Sequence, residues 1–182
     1  MGLKRVSVIG LCLAAVAAVV MLAAVIIRPP KIYISEICPS NSETSEKTAM
    51  QDKNGEPSDW IEIYNPTNKD ISLTGFSLSK NGGGDQPLGG YVIKAHDYII
   101  VYCSSAGFEN ADFPHADFSI GKVSEAEIIL KYDSFQCESI KMPKLNKGVS
   151  YSKNAKGEMY VSEPTPLAVN AEKTIGDTPV FS

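Results

Sequence analysis

Residues 1–30 contain no acidic side chain, and their only bases are Lys4, Arg5 and Arg28. After residue 30 helical periodicity is missing. The chain has only two histidines, His96 and His115, and no Gly-x-Ser-x-Gly, so a nucleophile-elbow hydrolase is excluded. Cys38, Cys103 and Cys137 show no Cys-x-x-Cys spacing, which removes a structural zinc site. There is no internal repeat and no low-complexity tract. With 14 Gly and 11 Pro in 182 residues, collagen-like and wholly disordered classes are also out.

What is present is unevenly distributed. Residues 31–182 hold 14 of the 17 bases and all 21 acids, a net charge of −7. Phosphate backbones would repel such a domain, so no nucleic-acid partner is expected. From Val6 to Ile27 there are 22 uncharged residues, and only Ser7 and Gly10 fall outside the hydrophobic set. At about 1.5 Å per residue a helix of this length spans roughly 33 Å, enough for a bilayer core of about 30 Å. Arg28-Pro29-Pro30 stops it.

A cleaved signal peptide would have an apolar run of about 7–15 residues followed by small residues. Here Val25, Ile26 and Ile27 are bulky. The pattern favours an uncleaved anchor at 6–27 with residues 1–5 as a short cytoplasmic tail, which makes the cell membrane one partner. The remainder is then placed on the extracytoplasmic side. Gly10, Ala14 and Ala18 recur every four residues, but in so alanine-rich a segment this reads as lipid-facing filler.

Short apolar runs between turn residues follow. Strands are expected at Lys31–Ile37, Trp60–Asn65, Ile71–Ser79, Tyr91–Ile93, Tyr98–Cys103, Ile128–Tyr132, Phe135–Met142 and Val149–Ser152. Trp60–Asn65 alternates strictly, with Ile61 and Ile63 on one face and Trp60, Glu62 and Tyr64 on the other. Ser42–Ser58 has no apolar face and is expected to be a mobile loop. Residues 104–126 form a longer connection in which Phe108, Phe113 and Phe118 should pin the chain to the core. About eight strands with regular turns predict an antiparallel sandwich or barrel. Some 140 residues are enough to bury a core without staples.

Several runs together are similar to the lamin tail domain, in its bacterial version. They are Ile34-Ser35-Glu36-Ile37 with Asn41, Ser58-Asp59-Trp60-Ile61-Glu62-Ile63-Tyr64-Asn65-Pro66, and Leu73-Thr74-Gly75-Phe76-Ser77-Leu78-Ser79. Tyr91–Ala95 with Tyr98–Tyr102, Val149-Ser150-Tyr151, Lys156-Gly157, and Pro164-Thr165-Pro166 with Asn170 continue the resemblance, which spans about 31–171. It implies an all-β, immunoglobulin-like antiparallel β-sandwich, here preceded by one transmembrane helix and followed by a tail at 172–182. It implies structural roles for Glu36, Asn41, Asp59, Trp60, Glu62, Asn65, Gly75, Ser150, Pro166 and Asn170. It also implies an interaction and tethering module without catalysis of its own. Leu167 stands where the family usually has glycine, Lys153 where arginine is frequent and Ser35 where asparagine is frequent. No coiled-coil rod accompanies the domain, so filament assembly does not carry over.

The residues themselves offer little chemistry, and no cofactor is expected. His96 reads as a solvated hairpin-turn residue and His115 as a solvated loop residue. Asn81-Gly82-Gly83-Gly84 lacks the following Gly-Lys-Ser/Thr of a phosphate loop and reads as a flexible connection. Asp52, Asn54, Glu56 and Asp59 could present oxygens to calcium, but the run fits no EF-hand and reads as an acidic solvated loop. Three cysteines beyond the anchor allow at most one disulfide, and Cys103 and Cys137 read as small buried residues. Glu36, Asp59 and Glu62 resemble an acid–base set, yet carboxylates beside a loop more economically fix the chain by accepting N–H bonds. Trp60 and Tyr64 share a face and form a candidate binding patch if it is open, or satellite core if it is covered. The expectation is a non-enzymatic, membrane-tethered scaffold for an unidentified protein. Its rivals are an accessory subunit of a separate hydrolase and a binder of cell-surface polysaccharide.

Overall fold

The computed structural model describes residues 29–39, 41, 50–104, 112–121, 125–146 and 148–170. The chain divides into two units, 1–30 and 31–182. The apolar stretch 6–27, the tail 172–182, Cys12 and Phe108 lie outside the described residues. Among the described residues no helix is long and apolar enough to cross a membrane.

Among the described residues the second unit has twelve strands: β1 Tyr33–Cys38, β2 Asp59–Tyr64, β3 Ile71–Ser72, β4 Phe76–Lys80, β5 Gln86–Pro87, β6 Val92–Ile93, β7 Tyr98–Cys103, β8 His115–Ala116, β9 Ala126–Tyr132, β10 Phe135–Met142, β11 Ser150–Lys153 and β12 Met159–Ser162. A six-stranded sheet has the order β12-β11-β1-β2-β7-β8, a four-stranded sheet β10-β9-β4-β5, and a small pair β3-β6. One buried cluster joins Ile34, Ile61, Ile63 and Val101 of the large sheet to Phe76, Leu78, Ile128 and Leu130 of the smaller. These all-β layers are consistent with an immunoglobulin-like sandwich.

The register explains how both isoleucines of β1 reach that core. Ile34 pairs with Ile63 and Ile37 with Ile61, an odd spacing that strict alternation forbids. A bulge at Ser35 absorbs the extra residue and restores the faces.

Three expectations change. Ile71–Ser79 is two strands in two sheets, split by a turn in which Gly75 adopts φ 86°. A Cβ on Gly75 would lie 3.1 Å from both Tyr132 and Asp133, so the close approach as well as the left-handed backbone demands glycine. β6 pairs with β3 and β7 with β2, so His96 does not sit in a hairpin between β6 and β7; its turn crosses between sheets. And β7–β8 is a parallel pair, whereas the other strand pairs among the described residues are antiparallel.

Candidate functional site

The face of the large sheet turned away from the core is organised in cross-strand rows. Tyr33, Tyr64 and Tyr98 form one, Glu36, Glu62 and Ile100 the next, and Cys38, Trp60 and Tyr102 the third. The second and third rows have different covers, and the tyrosine row lines a cleft.

The middle row is sealed by the closing segment, residues 163–170. The Thr165 N–H donates to Glu36 Oε1 at 3.1 Å and its hydroxyl to Oε2 at 3.0 Å. The Leu167 N–H donates to Glu62 Oε2 at 2.6 Å. Ser35 and Ser150 donate to Glu62 and Glu36 respectively. Asn170 ties the end of the segment to the carbonyls of Ser35 and Lys153, both at 2.9 Å. Glu36 and Glu62 have no exposed surface.

Burial pushes the Glu62 carboxyl up to about 8, with the bonds from Ser35 and Leu167 opposing and the neighbouring Glu36 adding to the rise. Burial likewise raises Glu36 against its bonds from Ser150 and Thr165. Desolvation therefore outweighs hydrogen bonding at both sites. Two adjacent carboxyls suggest acid–base chemistry, but these are closed to any substrate and their oxygens already hold internal donors. Their work is to fasten one segment to a sheet.

The other acids and amides act in the same way. Asp52, 7% exposed, accepts from the N–H groups of Asn54 and Glu56 and from the Ser58 hydroxyl. Burial pushes its carboxyl up, but those three bonds prevail and hold it below the usual value. Asn41 grips Met50 through both backbone groups and reaches the Ser58 carbonyl. Residues 50–58 are thus an ordered turn rather than the mobile loop expected; 42–49 lie outside the described residues. Asp59 accepts from Ser119 and from the N–H groups of Ile120 and Gly121, and burial still raises it. The run 52–59 therefore directs its two aspartates inward instead of forming an acidic solvated loop. Asn65 closes the following turn through Lys69, Ile93 and Lys94 carbonyls. Asn81, expected in a flexible connection, receives the Glu127 N–H at 2.7 Å.

The candidate patch of Trp60 with Tyr64 is not a single surface. Trp60 is fully buried with Cys38, Ile100 and Tyr102 under Met50 and Phe113. Tyr64 belongs two residues away to the tyrosine row, half-buried between Tyr33 at 5.5 Å and Tyr98 at 4.5 Å. His96 is exposed, 2.6 Å from Asn68 Oδ1. His115 is not a solvated loop residue: it opens β8, half-buried, 2.9 Å from Ser104 Oγ, and burial lowers its pKa. Among the described residues no disulfide forms; Cys38 and Cys103 are buried and Cys137 is partly so.

Sequence reasoning missed the tyrosine row because its members lie on three strands. The alternation of Trp60–Tyr64 located Tyr64, but only the pairing with β1 and β7 supplies its neighbours.

The buried acids and amides of this all-β domain serve its own architecture, each holding a turn or the closing segment. The family model named Lamin Tail Domain matches residues 28–139, and the chain belongs to that family, whose domain is generally non-catalytic. Ser150, Pro166 and Asn170 lie beyond the matched span, yet Ser150 and Asn170 bond into β1. No curated protein matches the chain.

Proposed function

We propose that this chain is a non-enzymatic scaffold held at the membrane by residues 6–27, presenting a domain of residues 31–171 on the extracytoplasmic side. Residues 1–5 form a cytoplasmic tail and 172–182 a C-terminal tail. The observation that carries the non-enzymatic part is the sealing of Glu36 and Glu62 by the closing segment, which leaves the most suggestive acid pair without access. The anchor rests on 22 uncharged residues stopped by Arg28-Pro29-Pro30. The placement rests on the bases Lys4 and Arg5 ahead of the apolar run.

Intact cells expressing the full chain test this directly. Protease added outside should remove the domain, and in-cell crosslinking should capture a discrete partner. Protection of the domain until lysis would overturn the orientation. A hydrolytic activity that disappears in Glu62→Gln with the fold intact would overturn the non-enzymatic reading.

A further inference from the structure

The tyrosine row lies beside the closing segment, and the residues around it form a cleft. Tyr33, Tyr64 and Tyr98 line it with Lys153, Lys156 and Val169, enclosing about 520 Å³. That volume lies within the range of about 300–1,000 Å³ found for small-ligand sites. Val169 is 80% exposed at its rim, an apolar side chain with nothing over it among the described residues.

The donor inventory indicates what would fit. The Asn170 amide is fully engaged with Ser35, Lys153 and Thr165. Lys153 lies over the Tyr33 ring at 4.7 Å and is paired with Glu138. By contrast, the phenol hydroxyls of Tyr33, Tyr64 and Tyr98 make no hydrogen bond among the described residues, and the Lys156 ammonium has no ion pair there. Burial, then Glu62 and the neighbouring tyrosines, raises Tyr98 to about 12, which keeps its hydroxyl a donor at any ordinary pH. The cleft thus offers three phenol O–H groups and one uncompensated cation beside apolar ring and valine surface. This is a local feature, since residues 31–182 carry a net charge of −7. An acceptor-rich, negatively charged ligand with apolar C–H faces complements it. Sugar rings bearing carboxylates have that combination, whereas a polyproline segment has no charge for Lys156.

We propose that this cleft binds an anionic saccharide, which lays its apolar faces along the tyrosine row, accepts bonds from the three hydroxyls and pairs a carboxylate with Lys156. The proposal rests on the interaction-module reading and names the ligand class for it.

The test uses the full chain in detergent micelles and four probes: oligogalacturonate, neutral dextran oligosaccharide, polyglutamate and a proline-rich peptide. Oligogalacturonate should bind at least tenfold more tightly than the other three. The combined Tyr33→Phe, Tyr64→Phe and Tyr98→Phe variant keeps the rings, so its thermal midpoint should hold while affinity falls at least tenfold. Lys156→Gln should weaken binding about threefold to tenfold at 0.1 M salt or below. The proposal is overturned if no probe binds, or if polyglutamate matches oligogalacturonate, which would mean that charge alone is read. Tighter binding of the proline-rich peptide, or undiminished binding by the triple variant, overturns it equally. Each of these failures leaves the scaffold reading standing, because in-cell crosslinking by the same triple variant reports on that separately.

Discussion

Glu36 and Glu62 face each other across the β1–β2 pair, and both are closed from solvent by a single segment that begins after β12. Their burial gives the domain an unusual dependence on pH.

For Glu62 the folded value of about 8 exceeds the ordinary 4.5, so the folded state holds its proton where the unfolded chain has released it. Stability from this group is complete below about pH 4.5 and is lost as pH rises toward 8. Glu36, also raised, adds to the same trend. Asp52 opposes it, since its lowered carboxyl loses stability only as pH falls into the acid range. Urea unfolding of residues 31–182 should therefore show greatest stability in mildly acidic buffer and a loss on the order of a few kcal/mol by pH 8.5. Glu62→Gln should flatten that slope; an unchanged slope would remove Glu62 as its source.

Register can be tested on β2 itself. Ile63→Asp places a carboxylate in the apolar cluster, and Glu62→Lys places a cation against N–H donors in a closed site. Each should cost several kcal/mol, a large share of an ordinary domain stability of about 5–15 kcal/mol. Urea unfolding of the two variants, followed by circular dichroism, decides it. A Glu62→Lys protein with an unchanged urea midpoint would mean that the closing segment is not seated on the sheet.

Leu167 adopts φ 58°, the left-handed region that a branched side chain enters at a cost of about 1–2 kcal/mol. Its N–H points at Glu62, and that bond holds the backbone in this conformation. Leu167→Gly should raise stability by about 0.5–1 kcal/mol, after allowing for the greater freedom of glycine in the unfolded chain. A fall in the urea midpoint would contradict this.

Within the turn 50–58 the same kind of change should have very different effects at neighbouring positions. Asp52→Ala strips three donors of their acceptor and should cost about 1–3 kcal/mol. Glu56→Gln, on an exposed side chain, should stay within about 0.5 kcal/mol. Equal effects in thermal melts would show that the turn is not fastened by Asp52.

Most long strands were legible because alternation is a local signal, as at Ile61 and Ile63. The two-residue strands β5 and β8 carry too few residues to alternate, and they exist only where a longer strand offers an edge. The bulge at Ser35 was hidden for a related reason: it is defined by the pairing with β2, not by anything within β1. Buried acids are the harder lesson. Glu62 reads as solvated in any pattern of polar and apolar residues, and its partner Leu167 is 105 positions away. The Asp52 turn, by contrast, carried a readable signal, an aspartate followed by Asn-Gly with a serine shortly after.

The fastening of the sheet also orders events during synthesis. The Glu36 carboxyl is made 129 residues before the Thr165 N–H that satisfies it. As the chain emerges from the ribosome, β1 and β2 can pair early but must leave their carboxyls wet until the last strand has been followed by Pro164-Thr165-Pro166. A nascent chain stopped after Ser162 would have every strand seen among the described residues and no cap over them, so completion of the native state belongs to residues 163–170 rather than to the strands themselves.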